Sequence, residues 1–285
     1  MRRSLLFIPG NNPGMLRNAD IFSSDAVIFD LEDAVSINEK DNARMLVSNF
    51  LKSVVDYPVE VVIRINGFDT PYYHDDLIEI VSDKIDTIMI PKAHAKDIEK
   101  LTEILEKLEE ERKLEQEIKI IPIIELATSL LEVEKIAKYP RVNGILLGGE
   151  DYTSDLEVER TVEGSEILYA RSKIVVACKA FQIDAIDTPF TDVNRNDLLL
   201  EDAKFSKGLG MNAKAAIHPN QVEIINEVYS PTQEQITWAK RVIIASEEAS
   251  KKKLGVYSLD GKMVDKPIIS RAEKILIKAK KFKLI

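Results

Sequence analysis

The sequence predicts an α/β fold: a (β/α)8 TIM barrel over residues 1–230 with a C-terminal helical arm over residues 231–285. Three observations predict it. Eight short runs rich in Val, Ile and Leu recur along the chain, amphipathic stretches lie between them, and several runs end on a charged residue. Nearly continuous apolar strands, each followed by a helix, belong to a parallel sheet covered on its outside. Eight of them favour closure into a barrel.

The first run, residues 4–8, follows Arg2 and Arg3 and stops at Pro9, so it reads as a strand and is too short for the core of a signal peptide. The second, AVIFD at 26–30, opens into DLEDAV, and the third, at 59–65, carries Arg64 near its end. The fourth, at 86–90, leads to Lys92; the fifth, at 119–124, to Glu125; the sixth, at 143–147, to Asp151 in GGED. The seventh, at 183–187, ends on Asp187, and the eighth, at 213–217, runs into His218 and Pro219. Residues 95–117 predict the clearest helix, with Ile98, Leu101, Leu105 and Leu108 at helical spacing and charge on the remaining face. Beyond the eighth run, PTQEQITWAKRVIIASEEASKKK predicts a helix with Pro231 near its start, GVYSLDGKMVDKP a turn, and the remainder a helix to Ile285. This tail is more than eight barrel units need and is a candidate lid or subunit-contact arm.

An open dinucleotide-binding sheet is the competing fold, but the first turn, PGNNPG, and the segment GLGMNAK both lack GxGxxG spacing. The chain has 285 residues, 45% of them apolar, enough for one large core. A formal charge of −9 argues against general attraction to nucleic acid or an anionic membrane. The single Cys178 cannot form an internal disulfide and reads as a buried helix residue. No apolar stretch approaches the roughly 20 residues that cross a bilayer. A cytoplasmic protein is expected.

Charges at strand ends place chemistry on one rim of the barrel. Glu125 and Asp151 follow successive strands, and two carboxylates with positions left for water and substrate suit Mg²⁺. The competing role for each is to cap the next helix or pair with a lysine. Arg64 ends a buried strand with a permanent charge and needs an anionic partner, either a substrate carboxylate or the acids Asp30, Glu32 and Asp33 on the neighbouring strand. Lys92 offers Schiff-base chemistry, but so many rim acids favour its protonated form and a purely electrostatic role. His74 and His94 read as loop residues; His218 and Asp187 read as acid–base groups or as positioning groups.

Together, RSLLFIPGNNPGML, FDLEDAV, RIN, IPKA, PIIE, GGED, KAAIHPNQ and DGKMVDKP, in unbroken order from Arg3 onward, resemble the citrate lyase beta subunits, within a family that also holds malyl-CoA and citramalyl-CoA lyases. The resemblance implies a TIM barrel, Mg²⁺ dependence and cleavage of a citryl thioester to oxaloacetate and an acetyl thioester. It implies Glu125 and Asp151 as metal ligands, with Glu125 also facing substrate, and Arg64 as the binder of a substrate carboxylate. Asp265, in GKMVDKP, matches an aspartate supplied from the C-terminal arm, often to a neighbouring subunit, and is the candidate proton carrier. Arg3 and Lys214, with Arg2, are candidate anchors for the CoA or carrier-borne thioester arm. Ala213 stands where many relatives have glycine, beside that arm. The implied partners are an alpha transferase chain, a gamma acyl-carrier protein and further copies of the chain itself, the family being commonly trimeric or larger. A stand-alone malyl-CoA or citramalyl-CoA lyase and a catalytically silent scaffold are the competing readings.

Overall fold

The structure is a computed structural model that describes residues 1–55, 57–251 and 257–285. Contacts divide it into two compact units, Met1–Asn226 and Glu227–Ile285.

Eight parallel strands close the barrel of the first unit: β1 (Ser4–Pro9), β2 (Ala26–Asp30), β3 (Glu60–Arg64), β4 (Thr87–Ile90), β5 (Lys119–Ile124), β6 (Gly144–Leu147), β7 (Asp184–Asp187) and β8 (Ala213–Ala216). They pair in sequence order, and β1 closes on β8 through Ser4 opposite Lys214. Every strand lies on one of the eight apolar runs. Side chains alternate across the wall, so Leu5, Ile28, Val62, Met89, Ile121, Ile123, Leu146, Ile186, Ala213 and Ala215 fill the interior as one core. The same alternation turns Asp187 and Lys214 outward, toward the helical layer.

Pro122 sits inside β5 without an amide to donate. The β5–β6 ladder accommodates it: a bridge joins Ile120 to Val142, and pairing resumes only at Ile123 opposite Leu146.

Around the barrel run α1 (Pro13–Asn18), α2 (Lys40–Ser53), α3 (Tyr73–Ile80), α4 (Ala95–Arg112), α5 (Ala127–Leu131), α6 (Val133–Ala137), α7 (Gly149–Asp155), α8 (Leu168–Phe181), α9 (Asn196–Leu209) and α10 (Asn220–Tyr229). In α4 the apolar stripe Ile98, Leu101, Leu105 and Leu108 is buried as its spacing predicts. The helix is shorter than 95–117, because Lys113 turns left-handed at φ 54° and ends it. His74 lies in the first turn of α3 and is not a loop residue, whereas His94 is the N-cap of α4. Cys178 is buried in α8, and burial pushes its thiol up to about 12.

The second unit contains α11 (Gln233–Lys251), a hairpin of β9 (Tyr257–Leu259) and β10 (Lys262–Val264), and α12 (Lys266–Lys281). The stretch expected only to turn is thus a hairpin. Asp260 and Gly261 both take positive φ at its tip, the conformation a tight two-residue connection requires. Ala239, Val242, Val264 and Ala272 form a separate small core, with Trp238 and Ile268 against it. The last two residues of the predicted helix, Lys252 and Lys253, lie outside the described residues. Among the described residues no helix is long and apolar enough to cross a membrane.

Candidate active site

The C-terminal ends of the barrel strands surround a cavity of about 410 Å³ lined by Phe7, Asp30, Arg64, Glu125, Asp151 and Thr188, among others. Inward-facing residues just past the core layer reach it, which is where this fold places its chemistry.

Arg64 is the best-held charge there. Its Nε and Nη2 donate to both oxygens of Asp30 at 2.7 and 2.6 Å. Asp30 is itself fixed by the amides of Glu32 and Ala34. The third nitrogen, Nη1, lies 3.0 Å from Glu32 and 3.2 Å from Asp33, whose side chain is 64% exposed. The Phe7 ring packs 4.9 Å from the guanidinium carbon. Burial works against the charge, but Asp30, Glu32 and Asp33 outweigh it and hold the pKa above the ordinary arginine value. Asp30 therefore fixes the guanidinium plane, while Nη1 lies between Glu32 and the solvent-exposed Asp33, and Asp33 is the partner that an incoming carboxylate can replace.

Glu125 immediately follows β5 and is buried. Its Oε2 accepts the backbone amide of Lys92 at 2.7 Å, an amide aimed by the left-handed turn of Lys92 (φ 48°). Gly148 leaves the space Glu125 occupies: a Cβ there would stand 2.4 Å from Glu125 Cγ and 2.9 Å from Oε1. Burial first, then the charges of Glu32 and Asp151, push Glu125 up to about 8 against the Lys92 amide and Arg64. Burial likewise pushes Glu32 up to about 7, opposed by Arg64 and aided by Asp33 and Asp30. Asp151 lies in the first turn of α7. Hard oxygen donors, crowded enough to repel one another, fit a divalent cation. Glu125 and Asp151 would hold it, with Glu32 adding to the negative field.

Lys92 faces these acids from the rim. Burial lowers its pKa, but Asp69, Asp151, Glu125 and Glu32 together raise it above the ordinary lysine value. A protonated amine is no nucleophile, so Schiff-base chemistry does not fit here.

The two basic anchors need correction. Arg3 stands before β1, at the opposite end of the barrel, where its guanidinium and backbone amide bind Asp25. Arg2 is at that end too, bonded to Glu60 and Asp184. Lys214 is fully buried outside the strand wall, its ammonium bonded to Asp187, Asp202 and the Thr188 carbonyl. Neither Arg3 nor Lys214 is an exposed anchor for a thioester arm. Ala213 is fully buried in the barrel core. Asp265 belongs to the second unit, where its carboxylate caps α12 by accepting the Ile268 amide. His218 bonds through Nδ1 to Asn220, a local turn contact.

The sequence reading missed Gly148, Arg171 and Asp202. Gly148 carries no chemistry of its own, and Arg171 and Asp202 lie on helices that only the folded chain brings to β7 and β8.

Residues 3–219 match the family model described as HpcH/HpaI aldolase/citrate lyase. The citrate lyase subunit beta of Leuconostoc mesenteroides subsp. cremoris is 40% identical over 279 residues, covering 97% of this chain and 92% of that one. The mitochondrial citramalyl-CoA lyase of Homo sapiens is 30% identical, covering 95% and 84%. Among solved structures, protein CitE of Mycobacterium tuberculosis, in complex with magnesium, acetoacetate and coenzyme A, superposes with a TM-score of 0.77 at 27% identity, covering 97% of both chains.

Proposed function

Because the chain belongs to the HpcH/HpaI aldolase/citrate lyase family, we propose that it is a Mg²⁺-dependent carbon–carbon lyase, the beta subunit of a citrate lyase. It cleaves a citryl thioester, on CoA or on an acyl-carrier protein, to oxaloacetate and an acetyl thioester. The observation that carries this reading is the near full-length likeness to citrate lyase beta subunits. A rim that sets an oriented Arg64 beside buried Glu125 supports it.

In this reaction the tertiary hydroxyl of the citryl group gives up its proton, and its oxygen becomes the keto oxygen of oxaloacetate. The adjacent carbon–carbon bond breaks, and its electron pair passes to the acetyl thioester as an enolate that takes up a proton. Glu125 and Asp151 would hold Mg²⁺, which when bound would supply Lewis-acid chemistry at the hydroxyl end of the substrate. Arg64 binds a substrate carboxylate through Nη1, displacing Asp33, and Asp30 keeps the guanidinium in plane while it does so. Phe7, packed against the guanidinium, helps hold it in place. Asp265, a carboxylate of the second unit, is the proton carrier in this proposal. The partners follow from the same reading: an alpha transferase chain, a gamma acyl-carrier protein and further copies of this chain.

The likeness to the human citramalyl-CoA lyase favours a second reading, a stand-alone lyase for citramalyl-CoA or malyl-CoA. Offering the purified chain citryl-CoA and citramalyl-CoA side by side decides between them. A higher kcat/KM for citryl-CoA, with oxaloacetate as product, is expected; preferential pyruvate release from citramalyl-CoA would select the second reading.

A further inference from the structure

Between the barrel wall and its helical layer lies a buried cluster of four charges that the mechanism above does not use. Lys214 on β8 and Asp187 on β7 point outward and meet Arg171 of α8 and Asp202 of α9. Arg171, Asp187 and Lys214 are fully buried, and Asp202 nearly so. All three ammonium protons of Lys214 are committed: to Asp187 at 2.7 Å, to Asp202 at 2.6 Å and to the Thr188 carbonyl at 2.7 Å. Arg171 adds bonds to both oxygens of Asp187 and one to Asp202.

Apolar side chains of similar volume often replace such clusters without loss of stability, so stability alone is a weak reason for this one. What the cluster supplies is direction. Its third bond holds the carbonyl of Thr188, a residue at the wall's end whose side chain points inward to the cavity. There the Thr188 hydroxyl accepts the amide of Gly149 at 3.0 Å. Gly149 is the first residue of α7, two before Asp151, and a Cβ on it would stand 2.8 Å from the same hydroxyl. The contact is therefore close on both sides.

We propose that Lys214 is a positioning residue: from outside the barrel it fixes Thr188, and through the Thr188 hydroxyl it fixes the start of the helix that presents Asp151. This rests on the reading of Asp151 and Glu125 as the metal-holding pair. The link from ammonium to carbonyl to hydroxyl to amide is an outer-shell support, and losing such support typically weakens metal binding about 10- to 100-fold.

The test variant is the charge-balanced pair Lys214→Met with Asp202→Asn, which leaves Arg171 facing Asp187. A second variant, Thr188→Val, removes only the hydroxyl. Mg²⁺ binding is measured by calorimetry, Mg²⁺ half-saturation by lyase assay, and the freedom of the Gly149 amide by hydrogen exchange of metal-free protein. Both variants should bind Mg²⁺ about 10-fold more weakly or worse, recover turnover at high Mg²⁺, and exchange Gly149 faster. Combining them should add little, because they break one chain of contacts. Wild-type Mg²⁺ affinity and Gly149 exchange in both variants, with binding still lost in Asp151→Asn, would overturn the proposal and leave the metal site standing. A fall in melting temperature with unmoved Mg²⁺ half-saturation would also overturn it. Mg²⁺ binding by wild type that is indifferent to both Glu125→Gln and Asp151→Asn would instead remove the metal-site reading, and this inference with it.

Discussion

Glu125 is a carboxyl group that folding pushes toward its protonated form, since burial and the neighbouring acids raise it to about 8. A carboxyl whose folded pKa exceeds its unfolded value contributes stability that is fully present below about pH 4.5 and lost as pH climbs through about 8. With metal chelated, the thermal melt should fall across that window, and Glu125→Gln should reduce the fall to the part that Glu32, raised to about 7, contributes, while abolishing Mg²⁺ binding. A melt as pH-dependent in the variant as in wild type would contradict this account of Glu125. Arg64→Lys keeps the charge but loses the fork that grips Asp30 and a substrate carboxylate together. It should cut kcat/KM about 10- to 100-fold, the worth of a charged hydrogen bond; near wild-type kinetics would show that planarity at this position is immaterial. Cys178, with its thiol at about 12, should react with disulfide reagents at pH 8 only as fast as the protein unfolds. The shared rim position of Arg64, Glu125 and Asp151 was legible in the sequence because each stands at or just past the end of an apolar run. Gly148, Arg171 and Asp202 were not, since their meaning depends on which elements pack together.

The strands were legible as elements, because a strand buried on both faces is written as an uninterrupted apolar run. Even Pro122 did not hide β5, and the structure places it where the ladder to β6 is interrupted. Element ends were harder. Nothing in the periodicity of α4 marks Lys113 as its left-handed stop, and the hairpin of β9 and β10 read only as a turn because each strand is three residues long. The capping of α12 by Asp265 separates two roles of one residue. Asp265→Asn preserves a good N-cap but removes the charge, whereas Asp265→Ala removes both and should cost about 1 kcal/mol in helix stability. If Asp265 carries a proton, Asn should lower kcat at an unchanged melting temperature. If it only caps, Asn should turn over like wild type.

At the scale of the whole molecule, closure of β1 on β8 gathers residues from Phe7 to Thr188 around one cavity, although 181 positions separate them in the sequence. The opposite end is sealed by charge: Arg2 spans Glu60 and Asp184, which explains why basic residues near the N-terminus lie far from the rim. One end of the barrel holds structure and the other holds chemistry, the division usual for this fold. The direct test is oxaloacetate release from citryl-CoA and from a citryl-loaded acyl carrier, followed in Mg²⁺, after excess EDTA, and after Mg²⁺ is restored. Release from either thioester that vanishes on chelation and returns with Mg²⁺ is the predicted result. Absence of oxaloacetate from both thioesters, or release that EDTA leaves unchanged, would contradict a Mg²⁺-dependent citryl thioester lyase.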